Sequence, residues 1–433
     1  MSNGKNIAGF SRKSKEEKLD WLVNNYISAE GGQDYRSFWF QNPSVQEKFE
    51  RFSENNISNY ILPLGIVPNL LVNGKFFAVP MVTEESSVVA AAAAAAKFWM
   101  TRGGFSTRIE GMTKTGHVHF LWKGASADWL AKKEQLISYL KTSSSDLTEN
   151  MESRGGGVIE IAIKDFSHVQ PGLFQIFGQF DTRDSMGANF INSILERWAK
   201  SLVDYFPKDS VEIIMSILSN FTPDCVAIAE VKCPIQDLGR FQGGLSAHDF
   251  ARKFYTAVQI ALSDPFRAVT HNKGIMNGID AVILATGNDF RAVEAGAHAF
   301  AAASGQYKSL SICEIDDDVF HFKLKIPLAL GTVGGLTKLH PLAKRNLEML
   351  GNPSASELMQ IVAATGLAQN FAAVRALVTT GIQQGHMKMH LSNILEQLGA
   401  NSDEKKQAII YFETQPVSHK SVQDYIEKLR NQL

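Results

Sequence analysis

Residues Ala90 to Ala96 are seven consecutive alanines, preceded by Ser87-Val88-Val89 and followed by Lys97-Phe98-Trp99. Alanine is the best helix former, and its methyl group leaves almost nothing outside the backbone cylinder. The run therefore predicts a helix that other elements approach closely, buried at the centre of a core. A chain of 433 residues is long enough for such a core and suggests two or three domains. At 45% hydrophobic and 20% charged it has the composition of an ordinary folded protein.

Lys and Arg total 43 against 44 Asp and Glu, a net charge of -1, so no chain-wide basic field draws nucleic acid or an anionic membrane. The longest weakly polar run, Val88 to Ala96, stops at Lys97. It is roughly half the ~20 residues that a membrane-spanning helix needs. The N-terminal MSNGKNIAGFSRKSKEEK is charged where an export signal is apolar, so a cytoplasmic protein is expected. Cys225, Cys233 and Cys313 lack CxxC spacing, which fits a reduced compartment and three buried thiols. HExxH, GxSxG and GxxxxGK[ST] do not occur, which removes the usual support for a zinc protease, an elbow-serine hydrolase or a P-loop NTPase.

Ser14 and Glu17 form a capping-box pattern ahead of Leu19, Leu22, Val23, Tyr26 and Ile27, predicting a surface helix over 14–27. VNGK at 72–75 is a hairpin signal between two apolar runs. Between Gly116 and Asn220, HVHFLW reads as a strand, ASADWLAKKEQLISYLKT as a helix, GVIEIAIKDF and GLFQIFGQFD as strands, MGANFINSILERWAKSLVDYF as a helix and VEIIMSILS as a strand. That βαββαβ order is the ferredoxin-like arrangement, inserted into a first domain. KTSSSDLTENMESRGGG, polar and Gly-rich, predicts a mobile loop. Beyond Cys233 long helices return, with strand-like runs at AVILAT and FKLKIPLAL. The last stretch holds short helical pieces with a stop at Gly399 and predicts a movable appendage with little core. The expected class is α+β. A large mainly helical domain (1–112 and 222–376) surrounds the alanine helix, with an inserted small domain (113–221), a candidate for cofactor binding, and a C-terminal helical flap (377–433).

Four places carry candidate chemistry. Glu84 and Glu85 open the alanine helix, where apolar walls would keep a carboxyl protonated, or where the pair complements the helix dipole. Lys273 falls in a Gly- and Asn-rich turn and Asp289 in another after AVILAT. A lysine stabilises a developing oxyanion and an adjacent aspartate holds it charged, although two unrelated surface charges read the same way. His386 and His390 lie four apart on a predicted helix, but no third ligand completes a metal site. No metal is expected, and a single histidine donating a proton near neutral pH fits better. RGGGV, DTRDSMGANF and GTVGGLT are glycine-rich without the GxGxxG of a Rossmann site. MGAN at a helix start still offers bare N–H groups to a pyrophosphate, or is an ordinary turn.

LPLGIVPNLLVNGK (62–75), PMVTEESSVVAA (80–91), DTRDSMGAN (181–189), DPFRAVTHNKGIMNGIDAVILATGNDFRAVEAGAHA (264–299), GTVGGLTKLHPLA (331–343) and GLAQNFAAVRALVTTGIQQGHMKMH (366–390) run nearly the length of the chain. Together they resemble the hydroxymethylglutaryl-CoA (HMG-CoA) reductases, specifically class II, the soluble bacterial form. The resemblance implies Glu85, Lys273, Asp289 and His386 as catalytic residues, and Ser87, Arg267, Asn277 and Asn220 as contacts to the substrate. It implies a nicotinamide site at Asp184, Met186, Gly187, Ala188 and Asn189, assisted by Gly331, Gly334 and Gly335. The position that meets the ribose 2'-hydroxyl matches Thr148, flanked by Asp146 and Glu149. A neutral residue there does not repel a 2'-phosphate and Arg154 attracts one, so either NADPH or NADH is admissible, with the balance toward NADPH.

The implied reaction takes HMG-CoA and two reduced nicotinamides to mevalonate and CoA, or runs in reverse. Lys273 would stabilise the first oxyanion while Asp289 holds it charged. His386 would protonate the leaving CoA thiolate, since an imidazolium of pKa ~6.5 is acidic enough for a thiol of pKa ~8.5. Glu85, kept neutral, would give the proton for the final alcohol. A homodimer or higher homo-oligomer with shared active sites is implied as well, although ENNIS (54–58) departs from the family's ENVIG dimerisation stretch. The competing reading is a catalytically silent CoA- or nucleotide-binding homologue; retention of all four catalytic residues argues against it.

Overall fold

The computed structural model describes residues 6–124, 131–241, 244–379, 391–392, 394–412 and 415–431. Helix α1 (Lys15–Asn25) starts at the expected capping box, in which Ser14 Oγ accepts from Glu17 N and Glu17 Oε2 accepts from Ser14 N. Helices α2 (Ala29–Ser37) and α3 (Pro43–Glu50) follow. Strands β1 (Leu64–Val72) and β2 (Lys75–Val82) form the expected hairpin. Asn73 and Gly74 both take positive φ in its turn, as a two-residue hairpin loop requires.

The alanine run lies in α4 (Val88–Met100). Val88, Ala92, Ala95, Ala96 and Trp99 are buried, while Ala90, Ala94 and Lys97 are exposed. Full burial was expected; one face of α4 is instead open to solvent, because residues four apart share a face and only the opposite face meets the core. After β3 (Ser106–Ile109) the inserted unit runs β4 (Thr113–Trp122), α5 (Lys133–Ser143), α6 (Ser145–Glu152), β5 (Gly157–Asp165), β6 (Leu173–Asp181), α7 (Ala188–Tyr205) and β7 (Val211–Ser219). Its sheet has the order β5-β6-β4-β7 with every neighbouring pair antiparallel, the ferredoxin-like topology. Val118, Phe120, Ile176, Phe180, Leu195 and Trp198 form its core. Helix α6 replaces the expected mobile loop; Thr148 is buried on its inner side and Leu147 packs against the insert's core.

The chain then returns to the first core through β8 (Val226–Pro234), α8 (Ala247–Ser263), α9 (Pro265–Ala285), α10 (Phe290–Ala302), β9 (Ser311–Asp316) and β10 (Val319–Pro327). Strands β3, β8, β10 and β9 lie in that order in one antiparallel sheet. AVILAT, expected as a strand, is the end of α9, whose buried Ile275, Ile279, Val282 and Ile283 follow helical spacing. Helices α11 (Gly335–Leu339), α12 (Pro341–Met349) and α13 (Ala355–Val378) follow. Helix α13 is long and apolar enough to cross a membrane, but 67% of its most apolar window is buried, which marks a core helix. It also runs across the expected boundary at 376/377. Helices α14 (Ser402–Tyr411) and α15 (His419–Asn431) pack on Leu391, Ile394 and Leu395 around Phe412, Val422 and Ile426. The C-terminal stretch thus has a small core of its own, contrary to expectation.

Candidate active site

Asp264 caps α9 by accepting from Phe266 N at 3.0 Å, and Pro265 occupies its first turn. A buried polar network then fixes the helix. His271 Nε2 meets Ser311 Oγ at 2.7 Å, Ser311 Oγ donates to Asn370 Oδ1 at 2.8 Å, and Asn272 bonds Lys308 O and Leu310 N. Burial pushes the His271 pKa down to about 3, so its ring is neutral.

The next residue, Lys273, faces outward from mid-helix rather than from the turn that was expected. Its Nζ donates to Glu85 Oε2 at 2.6 Å, with the two side chains 59% and 41% exposed. Glu85 is therefore a half-open, ion-paired carboxylate and not a group enclosed by apolar walls. Asn277, half-buried, lies one turn from Lys273 on the same face, and half-buried Arg267 precedes both on α9. Ser87, two residues after Glu85, is held at φ 73° and ψ -11° as the uncapped N-cap of α4. A non-glycine residue in that region stores of order 1–3 kcal/mol, strain of the kind that gathers at functional sites.

Asp289 does not join this group. It is the N-cap of α10, where its Oδ1 accepts from Arg291 N and Ala292 N and lies 3.5 Å from Arg291 Nε. Twelve helical steps, about 18 Å at 1.5 Å each, separate Lys273 from Ala285. Gly287 N and Asn288 N then bond Leu284 O and Ile283 O and hold the chain against that last turn. Within one chain the partner of Lys273 is therefore Glu85 and not Asp289.

Asp289 belongs instead with the glycine-rich segments. Asn288 Oδ1 accepts from Gly331 N at 2.8 Å, Asp184 O from Thr332 N at 2.8 Å, and Asp184 Oδ1 from Ala355 N at 2.7 Å. A Cβ on Gly331 would sit 2.3 Å from Met186 N, so this approach requires glycine. A small cavity joins Lys114, Met186, Asn220, Thr222, Ala292 and Ala329. Gly187, at φ 92°, is the N-cap of α7 without a side-chain cap, so the first-turn amides of Ala188 and Asn189 and the positive helix end are left to an anion. Gly334 and Gly335 have open space around them. This arrangement fits the pyrophosphate of a dinucleotide.

Thr148 is a further correction. It is buried, and its Oγ1 donates to Ser145 O inside α6, so it does not face a ribose. Asp146 is held by Arg197 at 2.9 and 3.1 Å, which leaves Glu149 and Arg154 exposed along this edge. His386 and His390 lie outside the described residues. Among the described residues no cluster suits a metal.

Two features escaped sequence reasoning. One is Lys114, buried beneath the 182–187 loop; strand alternation puts it on the inner face with Gly116, Val118 and Phe120, which was the available signal. The other is Asp280 on α9, whose carboxyl is pushed up by burial and by hydrogen-bonded Glu294 on α10.

A family model described as hydroxymethylglutaryl-coenzyme A reductase matches residues 16–391. The 3-hydroxy-3-methylglutaryl-coenzyme A reductase of Archaeoglobus fulgidus is 34% identical over 403 residues, covering 92% of this chain and 88% of that protein. A probable reductase of the same name from Borreliella burgdorferi is 36% identical over 368 residues, covering 84% and 82%. The Streptococcus pneumoniae reductase structure superposes with a TM-score of 0.71 at 36% identity, covering 98% of this chain and all (100%) of that one. A class II structure from the same organism, bound to NADPH in open conformations, gives a TM-score of 0.70 at 36% identity, covering 86% of this chain and 100% of that one.

Proposed function

This chain belongs to the hydroxymethylglutaryl-CoA reductase family, and from that premise we propose that its two residue clusters are the halves of one active site, completed only when two copies pair. The activity is that of an HMG-CoA reductase, an oxidoreductase using a nicotinamide cofactor. One half comprises Glu85, Ser87, Arg267, Lys273 and Asn277, the other the 184–189 loop, Asn220, Asp289 and Gly331 to Gly335. The observation that carries this reading is the surface pair Lys273–Glu85, with Asp289 of the same chain beyond reach. Exposed apolar residues support a homodimer: Phe266, beside Arg267, is 90% exposed and Tyr60 93%. The domain division at 112/113 and 221/222, with a flap after α13, is part of the same reading.

The bound nicotinamide supplies hydride. As the thioester carbonyl becomes tetrahedral, its oxygen gains negative charge, which the Lys273 ammonium neutralises. Glu85, accepting from Lys273 Nζ at 2.6 Å, aims the ammonium, and Asp289 of the second copy closes the network. Collapse of the hemithioacetal expels CoA thiolate, and His386, brought in by the flap, protonates the sulfur so that it does not return. The second reduction leaves an alkoxide, and its proton comes from the Glu85–Lys273 pair rather than from an isolated neutral Glu85. Arg267 and Asn277 bind the polar end of the hydroxymethylglutaryl group.

We take NADPH ahead of NADH, because Arg154 is exposed beside the 155–157 glycines, where it would attract a 2'-phosphate. A cytoplasmic setting fits three free, buried thiols. Purified protein given HMG-CoA with NADPH or NADH in separate cuvettes tests the activity. Oxidation of neither would leave the silent homologue as the correct reading.

A further inference from the structure

Lys114 is the second residue of β4 in the insert and is only 3% exposed, an unusual place for a lysine. Among the described residues no carboxylate lies within ion-pair distance of it. Its Nζ donates instead to Thr182 Oγ1 at 2.5 Å and to Ser185 O at 2.9 Å. Thr182 Oγ1 also donates to Ser185 O at 2.6 Å, so the three groups form a closed triangle beneath the loop. The next turn rests on this triangle, because Gly187 N bonds Ser185 Oγ and a Cβ on Gly187 would strike Thr182 Cγ2 at 2.4 Å. Lys114 also lines the cavity shared by Met186, Asn220 and Ala292, the last of which donates its N–H to Asp289.

A buried ammonium with only neutral acceptors is costly, and burial pushes its pKa down. The same low-dielectric surroundings make its bonds to Thr182 and Ser185 strong and directional. We propose that Lys114 is a positioning residue of the cofactor site: its two hydrogen bonds fix the 182–187 loop so that the uncapped start of α7 is presented to the dinucleotide. The proposal rests on the reading of 184–189 as the nicotinamide segment. It assigns Lys114 no contact with the reacting atoms. The triangle contains none of the α9 or 83–87 residues that hold the hydroxymethylglutaryl group, so KM for HMG-CoA should change far less than cofactor affinity.

The test titrates reduced cofactor by its fluorescence in the full-length enzyme, with KM for HMG-CoA measured alongside. Lys114→Met should weaken cofactor binding about tenfold or more, as expected on losing charge-assisted bonds, with KM for HMG-CoA within about twofold of wild type. Lys114→Arg, which keeps both donors, should recover part of the loss. Thr182→Val removes one acceptor without touching the charge, so it carries the test if Lys114→Met does not fold; it too should weaken the cofactor alone. Cofactor affinity unchanged in the folded variants, or both affinities falling together, overturns the role of Lys114. Asn189→Ala separates the two claims: if it leaves cofactor affinity intact, the reading of the segment itself is wrong.

Discussion

Lys273 Nζ lies 2.6 Å from Glu85 Oε2, an ion pair between residues 188 positions apart in the chain. One partner stands on a helix fixed from beneath by His271 and Asn272, the other in a turn beside the strained Ser87. The pair is open to solvent within a single chain, so it contributes little to stability, about 0–1 kcal/mol for pairs of this kind. In the proposed mechanism its contribution is to aim one cation at the place where an oxyanion forms.

Lys273→Ala should lower kcat by about 10²–10³ or more, the scale of losing an oxyanion-stabilising donor. Tm should stay within a few degrees, because both side chains are substantially exposed. Steady-state kinetics with calorimetry checks this, and near-normal turnover would refute the role.

Asp289 and Lys273 are separated within one chain, so a shared site makes a statistical prediction. Lys273→Ala and Asp289→Ala should each be inactive. Unfolding and reassembling them together should restore about a quarter of wild-type activity, since half the dimers are mixed and each then carries one intact site. No recovery on mixing, with dimers formed, would put both residues in the same subunit's site.

His386→Ala should abolish the full reduction of HMG-CoA yet spare the reduction of free mevaldehyde, which releases no thiolate. Parallel assays with the two substrates decide it. An equal fall in both would remove the leaving-group role.

Asp280 is held above its ordinary carboxylate range by burial and by Glu294. Its folded state therefore binds a proton that the unfolded state has released. The associated stability is fully present below the unfolded carboxylate value and is lost as pH rises through the raised one. Asp280→Asn should flatten this decline and raise Tm increasingly toward alkaline pH. Melting curves across pH measure it, and an unchanged slope would show that the pair does not couple to folding.

Local patterning carried much of the architecture. The capping box at Ser14, the Asn73-Gly74 hairpin, the alanine helix and the ferredoxin-like insert each follow from periodicity and turn chemistry, which act over a few residues. The short apolar run AVILAT misled because strand and buried helix give the same signal at that length, and only the packing of Ile275, Ile279 and Val282 selects the helix. The polar stretch before the glycine triplet misled for the opposite reason, since burial of Thr148 and packing of Leu147 order a segment whose composition suggests a loop.

The sequence by itself determined the residue types of the chemistry and the family that carries them. Which of these residues meet was decided by tertiary structure alone. Glu85 reaches Lys273 because β2 and α9 pack side by side, while Asp289 is turned away by the closure at Gly287 and Asn288. The reason is that contact depends on where whole helices end and cross, a sum over many distant packing choices to which no local pattern is sensitive.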